Sequence, residues 1–368
     1  MLTDHPSPPQ AASLLNSTVI SCRMKHRGWT EHLLSSSVSV PEQFLFEQLK
    51  PIVEAGGVIA GTDLFGQAEY TSSSSGELQI LGFQSPGTTL VLESDADAGG
   101  MQIGTLSGVD SKPLYNGGRI VGHFFEDADA KYCVLSGVLP ADTTSSRTTQ
   151  EEQVLQSIQD TLAGVGMDFR DVVRTWFYAD RILDWYDDFN RVRTAFFKRH
   201  GITRIPASTG IGAANAAGAA LVAKAIAVLP KNGNVTIQVI RSPLQCEATN
   251  YGSTFSRAIE VRDSSLRTVY VSGTASIEPG GKTIHVGNAA GQIEKTMEVI
   301  DALLEEAGME LVDTVRAIAY FRRSGDIPLW REYCRKRQFP PLPILLVPSD
   351  ICRDDLLFEI ELDAAVYI

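Results

Sequence analysis

The chain has 368 residues, 43% hydrophobic and 21% charged, enough to bury the cores of two or three domains. Its 44 acidic against 32 basic side chains leave a net charge of −12, which argues against a general nucleic-acid or anionic-membrane surface. Five scattered cysteines without a CxxC, and six histidines without ligand spacing, point to reduced thiols in a cytoplasm rather than to a disulfide scaffold or a metal centre.

The N-terminal stretch MLTDHPSPPQAASLLNSTVISC lacks the basic start and solid apolar core of a secretory signal, and no later run approaches the roughly 20 apolar residues that span a bilayer. Residues 1–28 are therefore expected to form a disordered leader. From 29 to 125 the chain is strand-rich, as in FGQAEYTSSSSGELQILGFQSPGTTLVLESD, with the serine run at 72–75 read as a loop.

An internal repeat follows. YCVLSGVLP (132–140) matches VYVSGTASI (269–277), each a strand ending in Ser-Gly, and each is followed by an amphipathic helix. The match runs without a gap from Met167 to Arg174 against Met309 to Arg316. A second helix comes next, DWYDDFNRVRTAFFKRH against PLWREYCRKRQF, and each unit closes with a proline-led strand pair. Each unit thus reads strand, strand, helix, strand, helix, strand, strand, an α+β layer of helices on one face of a sheet. The expected division is 29–125 as a degenerate first unit, 126–235 as the central unit and 236–368 as the last.

EPGGKTIHVGN ends like a phosphate-binding loop, but Ser276 stands where the first glycine should be, so it reads as a loop between two strands and no nucleotide site follows. In the terminal CRDDLLFEIELDA, the strand period sends Phe358, Ile360 and Leu362 one way and Glu359, Glu361 and Asp363 the other. Such a strand has either a solvated acidic face or a carboxyl turned into a cleft to move protons.

The order of elements, with DVVRTWFYADR, FNRVRTAFF and FEIELDA, resembles the RidA (YjgF) family, whose small subunits form trimers with sites between them. Fusion of two or three such units, together with PASTGIGAAN, SPLQCEATNYGSTFSRA and VSGTAS, is similar to the chorismatases. That resemblance covers about residues 125–368. It implies a single-chain pseudo-trimer of tandem RidA-like units, active as a monomer between the central and C-terminal units. It also implies chorismate as the small-molecule partner, and no cofactor, metal, nucleic acid or membrane.

RidA-type imine deaminases hold the substrate carboxylate with an arginine after a Pro-Ala pair. Here the corresponding places are Pro206-Ala207-Ser208 and Pro343-Ile344, without arginine. Their glutamate falls on Glu359 in the last unit and near the apolar Val222 in the central one. One site keeps the acid while the deaminase anchor is gone.

Cleaving chorismate's enol ether can begin by protonating its methylene carbon. This calls for a carboxyl whose pKa is raised by burial and like charge, and Glu359 is the candidate acid. The substrate's two carboxylates call for arginines, and the candidates are Arg257, Arg193 and Arg174. Tyr178 and Tyr251 are candidate hydrogen-bond partners, and Gly273 marks a place where a side chain would intrude. By the resemblance, Cys352 marks the type that makes 3-hydroxybenzoate, rather than the type that hydrolyses chorismate to a dihydroxycyclohexadiene acid. The alternatives are an imine deaminase or hydrolase acting on another small carboxylate, and a non-catalytic metabolite binder.

Overall fold

A computed structural model describes residues 19–39, 42–67, 87–91 and 98–368. The first unit comprises β1 (Ile20–Lys25), β2 (Thr30–Ser37), α1 (Glu42–Glu54), β3 (Val58–Gly66), β4 (Gly87–Val91) and β5 (Gly100–Ser107). The central unit comprises β6 (Lys112–Asn116), β7 (Arg119–Glu126), β8 (Ala130–Val138), α2 (Arg147–Ala163), β9 (Val172–Ala179), α3 (Tyr186–Arg199), β10 (Ala207–Gly212), β11 (Ala214–Asn215) and β12 (Leu221–Pro230). The last comprises β13 (Thr236–Ile240), β14 (Ala258–Arg262), β15 (Leu266–Ala275), α4 (Ala289–Glu306), β16 (Thr314–Phe321), α5 (Ile327–Arg337), β17 (Ile344–Pro348), β18 (Asp350–Ile351) and β19 (Phe358–Tyr367).

The three sheets share one strand order. The central sheet runs β10-β9-β12-β8-β7-β6, the last β17-β16-β19-β15-β14-β13, and the first β4-β3-β5-β2-β1. Each also breaks register at the same place, leaving Ala60, Val173 and Val315 unpaired on equivalent strands. The gapless stretch in the sequence has a local cause. Met167 N–H closes onto the Leu162 carbonyl at 3.0 Å, and Met309 N–H closes onto Leu304 at 2.8 Å. Both turns then enter a short helix through a capping box, Asp168 with Asp171 and Glu310 with Asp313.

The helices cover the outer face of each sheet. Ser146 caps α2 by accepting from Thr149 N–H, and α2 buries Val154, Leu155, Ile158 and Leu162. Asn288 caps α4 by accepting from Gly291 N–H, and α4 buries Ile293, Met297, Ile300 and Leu304.

Strand pairing moves the expected boundaries. Residues 112–126 form β6 and β7 and hydrogen-bond to β8, so they belong to the central unit rather than to one ending at 125. Residues 20–25 of the expected leader form β1, paired with β2, because Cys22 and Met24 bury against Leu266 and Val315 of the last unit. The serine run at 72–75 lies outside the described residues. The EPGGKT loop carries one bridge, Ile277 to Thr283, and leads from β15 into α4 rather than into a second strand.

The acidic strand alternates as expected, but its polar face is not solvated. β19 sits between β15 and β16, and Glu359, Glu361 and Asp363 point at the neighbouring units, 5, 0 and 5% exposed. Burying three carboxylates is costly unless cations meet them, and here Arg174 of the central unit and Arg316 of the neighbouring strand β16 do so.

Candidate active site

The seam between the central and last units forms a pocket whose walls include Arg193, Ser208, Arg257, Gly273, Cys352 and Glu359. Three connections position it. Ser208 N–H on β10 donates to Ser272 Oγ on β15 at 2.8 Å, and Gly273 N–H donates to Thr209 Oγ1 at 3.0 Å. In addition, β18 of the last unit pairs antiparallel with β10, extending the central sheet and delivering Cys352 and Arg353 to the pocket wall.

Glu359, the second residue of β19, lines this pocket. Burial first, and then the Glu361 carboxylate two residues on, raise its pKa to about 8, against the pull of Arg174, Arg353 and Arg257. Glu361 itself resists that burial because Arg316 and Arg174 flank it, donating at 2.7 and 2.8 Å and holding it ionised below the usual range. One strand thus carries a neutral acid in the pocket and a fixed anion behind it, the separation of roles that acid catalysis requires.

Gly273 stands opposite. A β-carbon there would overlap Glu359 Oε1 and come within 3.1 Å of its Cδ. The glycine therefore makes room first for the acid, and only through it for a ligand.

Two of the expected arginines line the pocket. Arg193, on α3, donates to Asn190 Oδ1 at 2.7 Å and to Ser208 Oγ at 3.3 Å, with its guanidinium 4.8 Å from the Phe189 ring centroid. Ser208 stands where the resemblance to the deaminases leads one to expect an arginine, and here a guanidinium reaches this place from helix α3 instead of from β10. Arg257 is held from the other side, its Nε and Nη2 donating to the Cys246 carbonyl at 3.1 and 2.8 Å. Cys352 also lines the pocket. Burial, with Glu359 nearby, pushes its thiol up to about 12, and Tyr186 lines the same pocket.

The other expected residues sit elsewhere. Arg174 is fully buried behind the pocket, donating to Thr209 Oγ1 and Glu361 Oε2, both at 2.8 Å. Strand β9 turns it toward the centre of the molecule, so it serves Glu361 rather than the pocket. Tyr178, four residues on and on the same face, packs with Phe65 and Tyr320 in a cluster shared by all three units. Tyr251 ends the turn Ala248–Tyr251, and its side chain lies outside the described residues. Arg353 was missed. It lines the pocket, anchored by donating to the Gly281 carbonyl at 2.7 Å. The only signal was its place beside Cys352 in the terminal CRDDLLFEIELDA.

Strand registers explain why acid appears at one seam. Tyr320, Tyr178 and Phe65 pair with Glu359, Val222 and Gly100, so these three are equivalent positions. At the first–central seam a β-carbon on Gly137, the counterpart of Gly273, would overlap the Gly87 carbonyl, so backbone occupies the space. At the last–first seam Leu345 packs against Gly100, and Gly99 N–H donates to the Leu346 carbonyl at 2.9 Å.

Fold and site together define the class, an α+β protein of tandem RidA-like units with a buried acid in one seam. The family profile described as Endoribonuclease L-PSP matches residues 128–229, within the central unit. A chorismatase crystal structure superposes with a TM-score of 0.61 at 20% identity, over 83% of this chain and 93% of that one. In sequence, the chain is 29% identical to a 3-hydroxybenzoate synthase of Streptomyces hygroscopicus over 63% of this chain and 74% of that protein. It is also 29% identical to a chorismatase of the same organism, over 60% and 67%. The chain resembles the chorismatases in both sequence and fold.

Proposed function

We propose that this protein is a chorismatase, splitting pyruvate from chorismate without a cofactor, with Glu359 as the general acid. The single observation that carries the reading is the Glu359 carboxyl, buried in the seam pocket and held near 8, among Arg193, Arg257 and Arg353. A pocket that binds a dianion by cations alone has no use for a carboxyl there, whereas an acid that must give up a proton near neutral pH does. The relatives named chorismatase and 3-hydroxybenzoate synthase support the same substrate.

In the proposed reaction the arginines bind the two substrate carboxylates and bring the enol-ether methylene to Glu359. Proton transfer to that carbon leaves an oxocarbenium ion and a Glu359 carboxylate, whose new charge Arg257 and Arg353 stabilise. Attack by water gives a hemiketal that releases pyruvate and a dihydroxycyclohexadiene acid, consuming one water overall. Attack by the neighbouring ring hydroxyl, followed by loss of pyruvate and aromatisation, gives 3-hydroxybenzoate with no net water. We favour 3-hydroxybenzoate, since Cys352, the residue that the resemblance ties to that product, lines the pocket beside Tyr186, and a relative is named 3-hydroxybenzoate synthase. The three units would satisfy each other's seams, so the proposed working form is a monomeric, cytoplasmic pseudo-trimer. Among the described residues no helix is long and apolar enough to cross a membrane.

The test is purified protein with chorismate, pyruvate followed by a coupled assay and aromatic products resolved by chromatography. Pyruvate release that vanishes in Glu359→Gln supports the reading. Its absence from folded wild-type protein sinks it.

A further inference from the structure

The EPGGKT loop has no part in the site described so far, yet it stands against the segment that carries the site's acid. Residues 352–357 join β18 to β19 and supply Cys352, Arg353 and Leu356 to the pocket wall before Glu359 follows on β19. From the loop, the Gly281 carbonyl accepts from Arg353 Nη1 at 2.7 Å, and Thr283 Oγ1 donates to Asp355 Oδ1 at 2.8 Å.

Gln292, fully buried near the start of α4, completes the attachment. Its amide oxygen accepts from Leu357 N–H at 2.7 Å, and its amide nitrogen donates to the Asp355 carbonyl at 2.8 Å. The Leu357 carbonyl in turn accepts from Arg322 N–H at 3.1 Å, so the backbone two residues before Glu359 is fixed on both sides.

The repeat shows what is particular to this glutamine. Gln150 of α2 is its counterpart, by the same spacing that relates Met167 to Met309. The Gln150 oxygen accepts from Ala220 N–H at 2.8 Å, two residues before Val222, the counterpart of Glu359. Its nitrogen, however, donates to the Thr143 and Ser145 carbonyls at 3.0 and 2.8 Å, both in the loop that leads into its own helix. Gln292 keeps a 3.4 Å bond of that kind, to the His285 carbonyl, and turns its shorter one to the segment that bears the acid.

The geometry points to Gln292 as a positioning residue for Glu359, acting through the Asp355–Leu357 backbone, with Thr283 as a second tie. This deepens the proposed function, on which its activity readout rests. Loosening the segment lets water reach the Glu359 carboxyl, whose proton is held chiefly by burial.

The test compares Gln292→Met with Gln150→Met in the full chain, each removing the amide bonds of one of the two equivalent glutamines at similar volume. The first readout needs no substrate: a carbon-13 NMR titration of the Glu359 carboxyl, assigned by its loss in Glu359→Gln. Gln292→Met should bring its midpoint down from about 8 toward the ordinary glutamate range, and Gln150→Met should leave it in place. The groups that face Glu359, namely Glu361, Arg174, Arg193, Arg257, Arg353 and Cys352, are present in both variants, so a shift reports position. The second readout is pyruvate release, with kcat/KM falling about tenfold in Gln292→Met and staying within about twofold in Gln150→Met, even where both melt lower. A midpoint unmoved in Gln292→Met, or moved equally in both, overturns the proposal, as does an unchanged kcat/KM in Gln292→Met beside an active wild type. If Gln292→Met does not fold, Thr283→Val on the half-buried loop decides, and an unmoved midpoint there overturns the proposal. Wild-type protein that releases no pyruvate sinks the chorismatase reading alone, since the titration still decides the role of Gln292.

Discussion

Gly273 and the Glu359 carboxyl occupy adjoining space across the β15–β19 pairing, so close that a single methyl at 273 would overlap Glu359 Oε1. The atom displaced is the free end of a flexible side chain, so the fold can accommodate the methyl by moving the acid. Gly273→Ala should therefore leave the melting temperature within a few degrees of wild type. Pyruvate release should fall by roughly 100-fold, the scale expected for an ångström of misplacement. Unchanged turnover would show that the carboxyl does not act from this position.

The pH profile follows from Glu359. Its proton is present below about 8 and lost above, so pyruvate release should decline through that value as pH rises. Stability shares the sign. The folded state holds this proton more tightly than the unfolded chain, so stability falls as pH rises from the ordinary glutamate range through about 8. Glu359→Gln should abolish pyruvate release yet melt higher than wild type at pH 9, with no such gain at pH 4. Paired activity and melting curves check both halves.

Glu361 is the shared partner of Arg174 and Arg316. Glu361→Gln leaves two buried guanidinium groups short of a counter-charge and should cost about 3–5 kcal/mol in denaturant unfolding. It also removes the like charge that helps hold Glu359 up. In the folded fraction, the alkaline limb of the activity profile should move to lower pH.

Arg193 and Arg257 approach the pocket from opposite units. Replacing either by lysine keeps the charge but loses the planar fork, at roughly 1.5–3 kcal/mol per charged hydrogen bond. This corresponds to roughly a 10- to 100-fold loss in kcat/KM, with KM rising. Arg174→Lys should instead act mainly on stability, because its guanidinium faces Glu361 and Thr209 rather than the pocket.

Cys352 tests product choice. Cys352→Ala should preserve pyruvate release while shifting the co-product from 3-hydroxybenzoate toward the dihydroxycyclohexadiene acid, read by chromatography. An unchanged product ratio would remove the thiol from that role.

Much of this architecture could be read from local sequence, because the signals are short-range. The helix faces and the gapless turn after each first helix arise within a few residues, and the repeat makes them visible twice, while the alternation in FEIELDA is as local but stands in the last unit alone. The first unit was harder to delimit. β6 and β7 belong to the sheet that follows them, and pairing is decided by hydrogen bonds to β8 that composition does not express.

Sequence by itself determined the order of elements, the acid at 359 and the loss of an arginine after Pro206-Ala207. Only tertiary structure decided which way the shared faces point. Arg174 and Tyr178 lie on the strand face expected of them, but that face looks into the molecule's centre, while Arg353 enters the pocket because β18 crosses to another unit's sheet. The acidic face of β19 is buried for the same reason. A strand's period fixes which residues share a side, but what stands opposite is set by residues distant in the chain, and here Arg174 from the central unit joins Arg316 from the adjacent strand in letting the carboxylates be buried.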